Sequence, residues 1–452
     1  MDNGVIFQTI SGKTYAYITE NNHIVTLDKK WINSLDPYNL EAQVFDALFE
    51  AGEFKKSTPH QVIWPMSDAN YKNEVQNNLQ AVVLEITQEC TLRCEYCIYS
   101  GNYSGNRTHS NVHMSKSTVK KALDFYRRHS INQQTAKISL YGGEALIRFD
   151  VVQFAVSYAK KIFHDKELSI SLSSNGTTLT NSVIEWLDEN PEVSINITIN
   201  GFSHDKYRKF PNGTGSINII MRNLYNIKKK YPELWKRVNF LANIVTTQEL
   251  LELKKFYQEE IGKPPLLITG ILEEGGNEII QKIVNVKDDS NSRQTAKAIY
   301  IQTLDDYLKP YFYEDVFTIC TRPIGMLPSI YQNASCCMPF TESLFISASG
   351  ALGLCEKVTL FDGCGDLNLD INFECAFNLL NSAKKIFNTK CNTCWCHRLC
   401  DVCFKDFSIT SNGTVELPAS FCERQKKHLI HSLELFCELA EKNPHAISLM
   451  QN

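Results

Sequence analysis

Cys90, Cys94 and Cys97 lie within CTLRCEYC, a C-x3-C-x2-C run directly after the apolar stretch AVVLEIT (81–87). Three thiolates can hold three irons of a [4Fe-4S] cube and leave the fourth iron open. A structural zinc or an electron-transfer cluster normally takes four protein ligands. An open iron is a place for a substrate or cofactor to bind. Taken alone, the triplet also admits a zinc site or three buried thiols, so the neighbouring residues decide between these readings.

Three further segments carry chemistry. Tyr141-Gly142-Gly143-Glu144 ends an apolar run; glycines there let backbone approach a ligand closely, and Glu144 supplies a carboxylate. SSNGTTL (173–179) places Asn175 after a second such run, and TINGFSHDKYRKFPNGTGS (198–216) contains Thr198, Asn200 and Arg208. Each segment is weak by itself, since such glycines usually make only a turn and a lone arginine is usually a solvated charge. Together with the triplet, and with the aromatic Tyr96 before its last cysteine, they resemble the radical S-adenosylmethionine (radical SAM) family.

The resemblance implies that Gly142, Gly143 and Glu144 hydrogen-bond the methionyl amine of SAM, that Asn175 lies near the cofactor and that Arg208 bridges its carboxylate. Thr198 stands where the family usually has serine, and Asn200 where it has aspartate. It further implies that the open iron chelates SAM and that reductive cleavage yields a 5′-deoxyadenosyl radical, which takes hydrogen from an unactivated carbon. The protein's part is to orient and shield that chemistry.

Thirteen of the sixteen cysteines fall after residue 319. The series Cys337, Cys355, Cys391, Cys394, Cys400, Cys403 and Cys422 resembles the SPASM extension of radical SAM enzymes, which binds two auxiliary [4Fe-4S] clusters and usually accompanies action on peptides. By that resemblance one cluster takes Cys391, Cys394, Cys400 and Cys422. The other takes Cys337, Cys355 and Cys403, with Cys320 or Cys336 as a fourth ligand or with an open iron. The Cys400-x2-Cys403 spacing is one residue shorter than usual, and Cys396 is an extra thiol. A zinc reading of CNTCWCHRLCDVC, with His397, stays open. Cys364, Cys375 and Cys437 lack partner spacing and read as small buried hydrophobes.

These residues need a scaffold, and a chain of 452 residues with 43% hydrophobic content can build two or three cores. Six strand candidates alternate with amphipathic stretches: 81–87, 137–143, 168–174, 194–200, 238–246 and 266–272. This predicts an α/β fold with a partial (β/α)6 TIM-like barrel, whose chemistry gathers past the carboxyl ends of the strands. Ser115 is a candidate N-cap for the helix after the thiol loop. Ahead of the barrel, TYAYITENNHIVTLDK reads as a hairpin around residues 20–22 and NLEAQVFDALFEAGEF as an amphipathic helix, a winged-helix-like module. The expected domains are 1–75 for this module, 80–310 for the barrel and 320–435 for the SPASM extension.

A net charge of −4, from 46 basic and 50 acidic residues, gives no pull towards nucleic acid or anionic lipid. No signal-like amino terminus or membrane-length apolar run is visible, so the reading is a soluble, cytoplasmic protein. Within the resemblance, a winged-helix-like module ahead of the barrel is similar to the recognition element of ribosomal peptide maturases, which binds a leader by strand addition. The expected function is thioether cross-linking between cysteine sulfur and a carbon of another residue in a precursor peptide with a leader and a cysteine-containing core. It would use SAM, three [4Fe-4S] clusters and a reductase or flavodoxin-type electron donor. Carbon–carbon cross-linking, epimerisation and sulfatase-type maturation are the enzymatic alternatives, and a metal-binding scaffold is the non-enzymatic one.

Overall fold

The computed structural model describes residues 3–55, 61–63, 67–102, 106–271, 290–326, 330–332, 337–358, 364–409 and 415–451. Packing divides the chain into two units, one of 1–65, 291–336 and 379–452, the other of 66–290 and 337–378.

In the first unit, β1 (Gly4–Gln8), β2 (Thr14–Ile18) and β3 (His23–Leu27) form an antiparallel sheet in that order. The expected hairpin is β2–β3, turned at Asn22, which has a φ of 58°, a left-handed value that asparagine tolerates well. Every residue of β2 is buried because both faces of the sheet are covered. Ala16 and Ile18 pack with Val44 and Phe45 of the helix Leu40–Glu50. Tyr15 and Tyr17 pack with Trp395, Leu399, Leu429 and Leu433. The amino-terminal strands therefore share a core with the carboxyl-terminal helix Ala419–Lys442. A short parallel pair, β4 (Gln61–Ile63) with β11 (Ile330–Gln332), and a two-residue antiparallel pair, Ser408–Ile409 with Val415–Glu416, also belong to this unit.

The second unit holds the barrel sheet. All six expected strands are present: β5 (Ala81–Thr87), β6 (Thr135–Gly142), β7 (Glu167–Ser174), β8 (Val193–Thr198), β9 (Val238–Ile244) and β10 (Leu267–Gly270). Residue 272, the last expected in the sixth strand, lies outside the described residues. The sheet order is β10-β9-β8-β7-β6-β5-β12-β13, with β12 (Leu344–Ile346) parallel to β5 and β13 (Leu352–Gly353) antiparallel to β12. The fold is thus α/β, with a partial parallel sheet.

Period-two patterning decides which way each strand faces. Ile170 and Leu172 of β7, Ile195 and Ile197 of β8 and Phe240 of β9 are buried, each contributing on the order of 1.5–3 kcal/mol. Helices supply the cover. In Lys116–His129, Ser115 caps the amino end by accepting from the Thr118 amide at 3.0 Å, as expected. Val119, Ala122, Leu123 and Phe125 form its buried stripe. Arg127 and Arg128 in its last turn suit the helix dipole.

Two cysteine expectations change here. Cys364 and Cys375 are joined in a disulfide rather than standing as separate small side chains. Cys437 is buried in the first unit's core, as expected.

Candidate active site at the carboxyl ends of the strands

The thiol loop leaves β5 and is held by the turn that follows β6. The Gly143 amide donates to the Thr87 carbonyl at 2.7 Å and the Glu144 amide to the Glu89 carbonyl at 2.8 Å. A Cβ on Gly142, whose φ is +135°, would lie 2.2 Å from the Thr87 carbonyl oxygen. One on Gly143 would lie 2.1 Å from that of Glu89 and 3.1 Å from Cys90 Cβ. The glycines therefore let two stretches of protein backbone meet.

Glu144 likewise serves the protein. Its carboxylate is fully buried and accepts from the Asn175 amide at 2.7 Å, Ser174 Oγ at 2.9 Å, Thr178 Oγ1 at 3.1 Å and the Leu146 amide at 3.3 Å. Burial raises its pKa, and these four donors act against that rise. These contacts make the carboxylate a clamp between the β6 and β7 turns. The clamp positions Asn175, whose Nδ2 donates to Thr91 Oγ1 at 2.9 Å and lies 3.7 Å from Cys90 Sγ.

A second group closes round Tyr96. Its hydroxyl oxygen accepts from Asn200 Nδ2 at 2.9 Å, an Arg208 guanidinium nitrogen at 3.1 Å and Asn243 Nδ2 at 3.4 Å. Asn200, the substitute for the family's aspartate, also accepts from the Asn243 amide through Oδ1 at 3.0 Å. Burial disfavours the charge on Arg208, but Cys94, Tyr96 and Cys90 beside it more than compensate, so its pKa is raised. Arg208 Nε is buried and has no hydrogen-bond partner among the described residues. Beneath it, His204 accepts from the Asn200 amide and meets Ser216 Oγ through Nε2. Burial, with Arg208, lowers its pKa to about 2, so the ring is neutral. Thr198 is the last residue of β8, two positions before Asn200.

Burial, Glu144 and the neighbouring thiols push Cys90 up to about 12, and burial also raises Cys97. Three crowded thiols, of which Cys90 and Cys97 resist ionisation, beside a buried cation with an orphan donor, suit the cationic core of a cluster that binds thiolates and the carboxylate of a cofactor. The loop continues into Tyr99, whose amide donates to Cys97 Sγ at 3.4 Å and whose hydroxyl donates to the Glu356 carbonyl at 2.9 Å. Arg107 stacks on the Tyr99 ring at 3.5 Å and pairs with buried Glu85, which also accepts from the Ala348 amide at 3.0 Å. This chain of contacts ties the thiol loop to the segment bearing Cys355.

The sequence reading missed a polar row on the sheet face opposite the helices. Asn196 Nδ2 donates to Ser171 Oγ at 2.9 Å, and Asn239 Nδ2 donates to Asn196 Oδ1 at 3.1 Å. The signal was available: LSISLSS, SINITIN and VNFLANI alternate serine or asparagine with buried apolar residues.

In the first unit, burial, then Cys400, Cys422 and Cys394, push Cys391 up to about 12, with Lys390 opposing. Burial raises Cys422 as well, in the company of Lys390, Cys394 and Cys400. The structure thus brings Cys391, Cys394, Cys400 and Cys422 into one neighbourhood. Cys403 caps the 404–406 turn in the same unit, and Cys320 is buried at the end of the helix Lys309–Cys320, where burial pushes it up to about 11. Cys337, exposed, and Cys355, which accepts from the Lys357 amide at 3.4 Å, belong to the second unit. Cys336 lies outside the described residues. Among the described residues, no three His, Cys, Asp or Glu side chains are grouped as they would be on one metal ion, and no helix is long and apolar enough to cross a membrane.

Residues 84–257 match the family model of the Radical SAM superfamily. An uncharacterized protein of Methanocaldococcus jannaschii is 27% identical over 182 residues, 40% of this chain and 58% of that protein. A cysteine-type anaerobic sulfatase-maturating enzyme of Clostridium novyi is 25% identical over 192 residues, 40% of this chain and 49% of that enzyme. The chain spans about half the length of the curated relatives it matches. In fold, native anSMEcpe with bound AdoMet aligns with a TM-score of 0.59 at 18% identity, over 82% of this chain and 100% of that one. The same protein with AdoMet and the Cp18Cys peptide aligns with a TM-score of 0.55, at 18% identity over 83% of this chain and 99% of that one. The thiol loop, the glycine turn and Arg208 all lie inside the segment that matches the Radical SAM superfamily model.

Proposed function

We propose that this chain is a radical SAM enzyme that modifies a ribosomally made precursor peptide by joining a cysteine sulfur to a carbon of another residue. The observation that carries the reading is the meeting of three crowded thiols with the orphan donor of Arg208 at the carboxyl ends of β5 to β8. A radical SAM domain implies a [4Fe-4S] cluster and SAM, and Cys90, Cys94 and Cys97 would hold that cluster. With SAM bound, it supplies a 5′-deoxyadenosyl radical able to take hydrogen from an unactivated carbon.

The chain's own residues do the positioning. Arg208 offers its charge to the SAM carboxylate, and Tyr96, Asn200 and Asn243 fix that guanidinium. Glu144 holds Asn175 beside Cys90, while Thr198 and the Ser171–Asn196–Asn239 row line the strands next to the reacting space. Cys391, Cys394, Cys400 and Cys422 would hold an auxiliary cluster. Three cubes per chain would correspond to about twelve irons.

A peptide substrate is supported by the fold shared with anSMEcpe, which has been solved with a peptide bound. β3 pairs only with β2 among the described residues, so its outer edge can accept a leader as an added strand. A flavodoxin-type donor would deliver the electron that SAM cleavage consumes. The Clostridium novyi relative, a cysteine-type anaerobic sulfatase-maturating enzyme, favours a second reading, sulfatase-type maturation.

Co-expression with cysteine-containing precursor peptides, followed by tandem mass spectrometry, tests both. Loss of two hydrogens per link, with the cysteine no longer alkylatable, supports thioether formation. A changed single residue without a link supports the second reading. An unmodified peptide together with no cleavage of SAM defeats both.

A further inference from the structure

The segment CNTCWCHRLC carries one thiol more than its share of a four-cornered cluster. The spare one is Cys396. Its sulfur lies 3.4 Å from Cys394 Sγ, with Cys400 as a second sulfur in hydrogen-bonding contact. Its side chain is only 4% exposed, within a core that includes Tyr17, Trp395, Leu399, Leu429 and Leu433. The loop is wound so that this placement is fixed. The Cys394 amide donates to the Cys391 carbonyl, and the Leu399 and Cys400 amides both donate to the Cys396 carbonyl, each at 2.9 Å. The Thr19 hydroxyl pins the adjoining Trp395 carbonyl from outside the loop at 2.8 Å.

We propose that Cys396 is a hydrogen-bond donor to the Cys394 thiolate, not an iron ligand, and that it raises the reduction potential of the cluster bound by Cys391, Cys394, Cys400 and Cys422. The inference rests on the auxiliary-cluster reading above. A cysteine packed among aliphatic and aromatic side chains behaves as a small hydrophobe with a weak S–H donor. A donor to a coordinating sulfur withdraws charge from it, which favours the more negative, reduced cluster. Hydrogen bonds to the sulfurs are among the factors that set such potentials. Cys396 belongs to the core that β1 and β2 share with Ala419–Lys442, so the hydrogen bond couples the cluster to the packing of the amino-terminal sheet.

Full-length wild type, Cys396→Ala, Cys396→Ser and Cys391→Ala are reconstituted anaerobically. Iron is counted, and each cluster is titrated potentiometrically by electron paramagnetic resonance. Cys391→Ala should lose about four irons and one signal, which identifies the auxiliary cluster. Cys396→Ala should keep wild-type iron and shift that signal to a more negative potential. Cys396→Ser, which keeps a donor, should remain nearer to wild type and guards against a packing artefact. Loss of one cluster's iron in both Cys396 variants would make this residue a ligand and overturn the proposal, as would an unchanged potential in Cys396→Ala. Unchanged iron and signals in Cys391→Ala would instead remove the auxiliary-cluster reading, and the proposal with it.

Discussion

The two thiol groups differ in what surrounds them. Around Cys90, Cys94 and Cys97 stand a buried arginine with an unused donor, two asparagines and a phenol, on loops locked together by backbone contacts. Cys391, Cys394, Cys400 and Cys422 have Lys390 as the nearby cation, a spare thiol and an apolar wall of Trp395, Leu399 and Leu433. A site that must take in and release a ligand keeps a coordination position and polar donors available. A site that serves only as a redox centre can be closed by four thiolates and kept dry. Under the proposed function, three thiols from one loop, against three from the other joined by Cys422 of the helix Ala419–Lys442, would mark that division.

The comparison breaks first at Gly143. In Gly143→Ala, a Cβ 2.1 Å from the Glu89 carbonyl oxygen must displace the thiol loop. SAM cleavage should fall at least about 100-fold, the order expected for a displacement near 1 Å, while the iron held by the carboxyl-terminal thiols is unaffected. Measuring 5′-deoxyadenosine and iron on the same sample separates the two effects. Near-normal cleavage would show that the close packing of the turns is not needed.

Arg208 comes next. Arg208→Gln removes the charge beside Cys94 and Tyr96, and the KM for SAM should rise about 10- to 100-fold, on the scale of one lost charge-assisted contact. Tyr96→Phe, which loses the oxygen that fixes the guanidinium, should raise it less. Equal KM values for both variants and wild type would remove Arg208 from the cofactor site.

His204 supplies a pH test. Its folded-state pKa of about 2 lies below the ordinary value of 6.5, so between these limits the unfolded chain binds more protons. This group alone should therefore lower stability by about 1.4 kcal/mol per pH unit as pH falls below about 6.5, and have no effect above it. Thermal melts of wild type and His204→Gln from pH 5 to 7.5 should show a shallower acid limb in the variant. Parallel curves would mean that His204 is not held neutral.

The smallest effect belongs to the first unit. Alternate residues of an edge strand point their amides outward, so of Val25→Pro and Thr26→Pro one should be tolerated in folding. That variant should bind a leader peptide about 5-fold more weakly, the order of one backbone hydrogen bond. Unchanged affinity in the folded variant would take leader binding away from β3.

The sequence made the barrel legible because its strands are largely apolar runs, of four to eight residues, bounded by turns, and β2–β3 because alternating residues flank Asn21 and Asn22. β12 and β13 escaped notice since three and two residues carry no usable period. The Cys364–Cys375 disulfide escaped because spacing does not give connectivity. The Glu144 clamp was not legible because Ser174, Asn175 and Thr178, which donate to its carboxylate, lie 30 or more residues away and meet it only once β6 and β7 are paired. For the same reason the amino-terminal strands looked separable, although Tyr15 and Tyr17 are walled in by residues beyond 394.

The central claim is tested most directly by reductive SAM cleavage in the full-length Cys90→Ala/Cys94→Ala/Cys97→Ala variant, reconstituted anaerobically and assayed for 5′-deoxyadenosine beside wild type. The account predicts no product above background and about four fewer irons per chain. Sustained 5′-deoxyadenosine formation by the variant would contradict it.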